Sequence, residues 1–320
     1  MDRRTFIQRG SLFMAAAPLW ACTPGNTETA AVADAAGAAA RLERIGVTSV
    51  CFRSRFPTTR TLMAEPTTGS DLTLETFPDF VRGELGLRHV EVWERQFDDT
   101  SLAYCERVRV AAERIGSRIS NIQVSGLANL SDADAAVRDQ GVAGAREWID
   151  RAVAMGAPSI RVDAGGRPGE TYQPEITLDS YRRIVDYAQE KDIVVLVENH
   201  SGFTRDIDIV VSIIQTMDSP HCRALVDYGN TPAGSIDDRI GGLNKMLPYL
   251  AFVSAKGTGF DDQMVHADYD FAALVRATEV SGYRGLYSIE MWPDADSPPP
   301  ADPLRAALWM RDQLVAHISA

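Results

Sequence analysis

From Arg44 onward the chain alternates two kinds of hydrophobic pattern. Short apolar runs, rich in Val and Ile, predict strands at Ile45–Phe52, His89–Trp93, Ile119–Val124, Ser159–Asp163, Ile193–Glu198, Ala224–Asp227, Ala251–Ser254 and Leu286–Glu290. Between them, apolar residues spaced three and four apart predict helices at Thr73–Glu84, Ser101–Ile115, Ala133–Met155, Leu178–Glu190 and Asp206–Met217. Three more follow at Asp237–Leu247, Phe271–Ser281 and Pro303–His317. Eight strands, each followed by a helix, predict a single-domain α/β protein, a (β/α)8 TIM barrel, rather than an open sheet. A near-continuous run such as Ile193–Val197 suits a parallel strand covered on both faces. Gly86, Gly116, Gly156 and Gly282 each stand between a helical run and the next strand, where a left-handed helix cap is expected.

In such a barrel the functional side chains gather at the C-terminal ends of the strands. Here the late strands end in Val197-Glu198-Asn199-His200, Val226-Asp227-Tyr228-Gly229-Asn230, Ser254-Ala255-Lys256 and Ile289-Glu290. A carboxylate that closes an apolar run is costly unless it is paired or metal-bound. One such residue is as readily an ordinary ion pair as a site, but Glu198, Asp227 and Glu290 converging on one mouth point to function. Residues two apart on a strand share a side, so Glu198 faces with His200, Ser254 with Lys256, Arg161 with Asp163, and Glu91 with Trp93. Arg161 and Asp163 could simply brace one another, and Trp93 could be either a core cap or an aromatic wall for a sugar ring.

Composition narrows the partners. The net charge of −12 opposes a nucleic-acid or anionic-membrane surface, which needs clustered Lys and Arg. At the N-terminus, Arg3-Arg4 precede an apolar stretch from Ser11 to Ala21 that is too short to span a bilayer comfortably. Residues 1–21 read as a cleaved signal for the twin-arginine export machinery, which predicts a periplasmic or exported protein. Leu19-Trp20-Ala21-Cys22 is similar to a lipoprotein cleavage site, with Trp20 a poor fit, so a lipid anchor at Cys22 stays open, and residues 22–43 read as an Ala-rich tether. Cys51 falls in a predicted strand and Cys105 in a helix, and with Cys222 they lack metal-type spacing. Buried thiols without a disulfide framework are expected.

With these residues in place, the stretch from Arg44 to Ala320 resembles the xylose-isomerase-like TIM barrel superfamily, often labelled sugar phosphate isomerase/epimerase. The resemblance is carried by Val197-Glu198-Asn199-His200-Ser201-Gly202, Asp227-Tyr228-Gly229-Asn230 and Tyr283-Arg284-Gly285-Leu286-Tyr287-Ser288-Ile289-Glu290. It implies a divalent metal held by side chains from strands five to eight, at Glu198, Asp227, Ser254 and Glu290. Ser254 stands where the family has His, as in a branch of exported members. His200 or His266 could supply the missing nitrogen, or water could fill the place.

Oxygen donors favour Mn²⁺ or Mg²⁺, and a nitrogen would admit Zn²⁺ or Co²⁺. The resemblance implies Glu198 and Glu290 as an acid/base pair and metal ligands, and Asp227 as a ligand only. His200, Lys256, Arg161, Glu91, Trp93, Asn230, Ser254 and His266 are candidate substrate contacts. The expected activity is isomerisation or epimerisation of a keto or aldo sugar through a metal-stabilised enediolate. Lyase or hydratase action on a 3-keto sugar or keto-glycoside is the rival within that chemistry. A non-catalytic periplasmic sugar-binding protein is the rival outside it. Related barrel endonucleases need many histidines, and this chain has five. Homo-oligomerisation is left open.

Overall fold

Eight parallel strands close into a barrel in the computed structural model: β1 (Ile45–Thr48), β2 (His89–Trp93), β3 (Arg118–Val124), β4 (Ser159–Val162), β5 (Val194–Glu198), β6 (Cys222–Asp227), β7 (Leu250–Gly257) and β8 (Leu286–Met291). A helix follows each strand: α1 (Phe77–Leu85), α2 (Leu102–Arg114), α3 (Ala135–Met155), α4 (Pro174–Glu190), α5 (Ile207–Met217), α6 (Ile236–Met246), α7 (Phe271–Val280) and α8 (Pro303–His317). The structure describes residues 36–62, 67, 69–231, 234–293 and 298–320. The leader and Cys22 lie outside them. Ala38–Ala320 form one compact unit, with residues 38–42 helical within the stretch read as tether.

The covering helices follow from their spacing. In α4, Thr177, Ser180, Tyr181, Ile184, Val185 and Ala188 are buried, an i, i+3/i+4 stripe facing the sheet. The outward residues of the strands, such as Val195 and Val197, meet these stripes and are fully buried. The four cap glycines take positive φ between 69° and 86°, as their positions predict. Cys51, Cys105 and Cys222 are free, buried thiols.

Two strands depart from expectation. β1 stops at Thr48, because the Thr48 hydroxyl accepts a hydrogen bond from the Val50 amide and the chain turns into a 3₁₀ segment, Ser49–Arg55. Cys51 therefore lies in that turn and not in a strand. β7 runs on to Gly257, three residues past the predicted end, because Ser254 and Lys256 find polar partners inside the barrel and the ladder to β8 continues.

The lumen is layered. Towards the N-terminal end, Leu196, Leu225 and Phe252 form a small apolar cluster of their own, with Val194, Ala251 and Leu286 packed against it. On the other strands a polar layer takes over. The Glu91 carboxylate accepts from Asn121 Nδ2 (2.7 Å) and Ser288 Oγ (2.6 Å), and Ser159 Oγ donates to Asn121 Oδ1 (2.8 Å). Below, Arg44 pairs with Glu279 (2.7 Å) and donates to the Ser319 carbonyl (3.0 Å), and Arg41 Nε donates to the Ile318 carbonyl (3.1 Å), so residues near the start and the end of the unit are held together at the N-terminal face.

Candidate active site

The C-terminal mouth gathers the carboxylates named from the sequence. Alternation turns Leu196 and Glu198 of β5 into the lumen and Val195 and Val197 out of it, and the same rule sets Asp227, Ser254 and Glu290 in a row. Register pairs Asp227 with Ser254, Ser254 with Ser288, and Lys256 with Glu290. Asn199, just past β5, clamps the end of β6: Asp227 N donates to Asn199 Oδ1 (2.8 Å) and Asn199 Nδ2 donates to Asp227 O (3.0 Å). Glu198, Asp227 and Glu290 are all buried.

Their surroundings differ. Ser254 Oγ lies 3.3 Å from Asp227 Oδ2 and 3.2 Å from Glu290 Oε2, and its single hydrogen serves one carboxylate at a time. Gln123 Nε2 donates to Glu290 Oε2 (2.9 Å). The Lys256 ammonium donates to Asn230 Oδ1 (3.1 Å) but stands 3.7 Å from Asp227 and 3.8 Å from Glu290, close enough for attraction and too far for hydrogen bonds. Gly229 makes room for it, since a Cβ there would sit 2.9 Å from Lys256 Cδ.

Burial pushes the Asp227 carboxyl up to about 8, against the pull of Lys256 and with Glu290 and Glu198 adding repulsion. Burial likewise raises Glu198, although Arg161 and His200 oppose it. Burial would neutralise Lys256, but Asp227 and Glu290 outweigh it and hold the ammonium charged.

Arg161 organises the other side. Its Nη1 donates to Asp163 Oδ1 (2.8 Å), and His200 Nδ1 lies 3.2 Å from the same oxygen. Against burial, Arg161 and His200 hold the Asp163 carboxyl well below its ordinary range, and Glu198 and Asp163 keep the His200 imidazole raised. Arg161 Nε is 3.1 Å from Glu198 Oε2, yet neither atom has a hydrogen-bond partner among the described residues, because the N–H does not point along the contact. We read this as Coulombic attraction without a hydrogen bond, which leaves Glu198 Oε2 buried and unsatisfied. Asp163, Glu198 and His200 are the ligating side chains gathered within 4.8 Å of one another among the described residues. The Arg161 guanidinium already bridges that group, so it is an ion-pair cluster rather than a vacancy for a metal.

Two candidates lie elsewhere. Glu91 faces the lumen but sits in the layer beneath the mouth, bonded to Asn121 and Ser288, where burial holds it at about 7. His266 packs against Tyr269 (ring centroids 4.2 Å apart), Phe271 and Trp309, with its Nδ1 on the Thr258 backbone, outside the carboxylate row. Trp93 is where alternation places it, edge-on to Trp292 at 5.7 Å.

Three mouth residues went unnamed. Trp292 follows Glu290 by two, and Gln123 follows Asn121 by two, so the same alternation would have found both. Glu94 follows β2 in a one-turn 3₁₀ segment, Glu94–Gln96. Both its carboxyl oxygens are buried without a hydrogen bond among the described residues, Arg95 Nε stands 3.8 Å from Oε1, and burial pushes the group up to about 7. No strand pattern marks it.

Comparisons with known proteins agree with the barrel fold. Residues 83–313 match the family described as xylose isomerase-like TIM barrel. No curated protein matches the sequence. Among solved structures, the D-allulose 3-epimerase from Methylomonas sp. in complex with D-allulose superposes with a TM-score of 0.66 at 14% identity, covering 86% of this chain and 96% of that one. The 3-keto-D-glucoside 4-epimerase from E. coli gives 0.62 at 17% identity, covering 84% and 99%. A xylose isomerase-like TIM barrel protein from Mycobacterium smegmatis in complex with magnesium gives 0.62 at 18% identity, covering 88% and 99%. At such identities the likeness is one of fold.

Proposed function

The chain belongs to the xylose isomerase-like TIM barrel family, and from that premise we propose that it is a sugar isomerase or epimerase that moves a proton between Glu198 and Glu290. The observation that carries this reading is the pair of buried carboxyl groups ending β5 and β8, with Asp227 and Ser254 on the strands between them. The similarity to solved sugar epimerases supports the substrate class.

The donor set has the chemistry of a hard divalent cation site, and its oxygens would have to draw together to hold the ion, since the ligand atoms within 4.8 Å of one another among the described residues are those of Asp163, Glu198 and His200. Glu198, Asp227 and Glu290 offer oxygens, Asp227 is raised first by burial and further by Glu290 and Glu198, and Glu198 Oε2 is buried beside Arg161 without a hydrogen bond. The repulsion among the three carboxylates is what a bound cation would relieve. His200 is engaged with Asp163 and His266 lies outside the row, so Mn²⁺ or Mg²⁺ suits the site better than Zn²⁺ or Co²⁺. When bound, such an ion polarises a substrate carbonyl and its neighbouring hydroxyl and acidifies the C–H between them.

The chain's own residues do the rest. One glutamate of the pair takes the carbon-bound proton, and the Lys256 ammonium faces the negative charge that develops on oxygen. Arg161, braced by Asp163, holds Glu198 in place. Trp93 and Trp292 wall the sugar ring, and the Glu94 carboxyl, free of hydrogen bonds among the described residues, meets its hydroxyls. Return of the proton to the opposite face of the same carbon epimerises, and return to the neighbouring carbon isomerises. Expulsion of a β-substituent makes the reaction an elimination, a reason to include keto-glucosides among the probes.

Incubation of metal-loaded protein with keto sugars and 3-keto-glucosides in D₂O tests the proposal. Deuterium at the exchanged carbon is expected, and it disappears in the Glu198→Gln, Glu290→Gln double variant. Exchange by that double variant at the native rate would overturn the reading, and sugar binding without exchange would leave a binding protein.

A further inference from the structure

A cavity of about 810 Å³ opens at the end of the barrel opposite the carboxylates. Its walls are the N-terminal ends of the strands: His89 on β2, Arg118 to Ser120 on β3, Ser159 on β4, Val194 and Leu196 on β5, and Phe252 and Leu286 at the starts of β7 and β8. Barrel lumens are ordinarily filled by bulky branched side chains. Here Ser120 and Ser159 line the space in place of such residues, and the volume falls within the range of small-molecule pockets.

The lining divides by chemistry. Deep inside, Val194, Leu196, Phe252 and Leu286 present an apolar floor, part of the separate lumen cluster. The rim carries Arg88, Arg109 and Arg118 against one carboxylate, Glu113, in a chain whose net charge is −12. Arg88 is engaged by Glu43 and Arg109 by Glu113, whereas Arg118 has no carboxylate partner among the described residues. Beside it in sequence, Ser117 also lines the cavity, is 1% exposed, and its hydroxyl has no hydrogen-bond partner among the described residues. A buried hydroxyl left unpaired costs stability, and a guanidinium at the entrance of an apolar recess selects for negative charge.

We propose that this cavity is a second ligand site, which takes a small organic anion with an apolar body: the acidic group against Arg118 and Ser117, the body against Leu196, Phe252 and Leu286. It is independent of the chemistry at the other mouth.

Calorimetric titration of the full barrel with 8-anilinonaphthalene-1-sulfonate, an aromatic body carrying one acidic group, tests it. Saturable binding of one probe per chain is expected. Arg118→Glu removes the charge and Val194→Phe fills the recess, and each should weaken binding at least tenfold. Arg118→Lys should keep most of it, and Glu198→Gln, at the far mouth, should change it less than twofold. If Val194→Phe does not fold, as judged by circular dichroism, Ala251→Leu fills the same space. Absence of saturable binding, or binding that Arg118→Glu and the filling variant leave within twofold, would overturn the proposal.

Discussion

The two ends of this barrel are made by the same strands and differ in what they give up. At the C-terminal mouth, Glu198, Asp227, Glu290, Arg161 and Lys256 are buried together, and the molecule bears the desolvation of those charges. At the N-terminal mouth the residues two positions earlier, Leu196 before Glu198 and Phe252 before Ser254, are apolar, and the molecule leaves space unfilled. Neither choice favours stability. Buried charge marks the end where bonds are proposed to change, and empty volume marks the end where a molecule is proposed only to be held.

The largest expected effect separates the two ends outright. Glu198→Gln or Glu290→Gln should slow deuterium exchange into the substrate by about a thousandfold, the range of a lost acid/base group. Arg118→Glu should alter exchange less than twofold. Comparable losses from both would dissolve the distinction between the mouths.

The next concerns the layer between them. Burial holds Glu91 at about 7 in the folded protein, above its ordinary 4.5. Below pH 4.5 the carboxyl is protonated folded or unfolded and nothing is lost. As pH rises to 7 the unfolded chain releases its proton while the folded one keeps it, so folding is weakened, by roughly 3 kcal/mol once above 7. Glu91→Gln removes that dependence. Its stability relative to the native protein should climb between pH 4.5 and 7 in thermal or urea unfolding, and a pH-independent difference would contradict the raised value.

Two smaller effects sharpen the upper mouth. Ser254→His adds a nitrogen donor beside Asp227 and Glu290 and should tighten Mn²⁺ binding by about tenfold in titration calorimetry. Trp292→Ala removes half of the aromatic wall and should raise KM for a sugar about fivefold, with little change in kcat.

Much of this was legible in the chain. The alternation of strand and helix was readable because parallel strands are covered on both faces, and Glu198, Asp227 and Glu290 stood out because carboxylates seldom close apolar runs. Alternation gives a side of a strand but not a depth along the lumen. Glu91 was therefore grouped with Trp93, although it lies a layer lower. Residue type alone marks His266, and its position depends on Tyr269, Phe271 and Trp309 folding around it. Glu94 and the lower cavity depend on what neighbours fail to supply, a hydrogen bond in one case and side-chain volume in the other, and no local pattern records that.

The ties of Arg41 to Ile318 and of Arg44 to Ser319 bring the beginning and the end of the barrel to one face. Anything joined to either end, whether a resin, a fusion partner or a surface, would therefore hold the molecule by its base. The carboxylate mouth would face outward into solution, and the arginine-rimmed recess would be turned towards the support, where immobilisation chemistry could reach one mouth and spare the other.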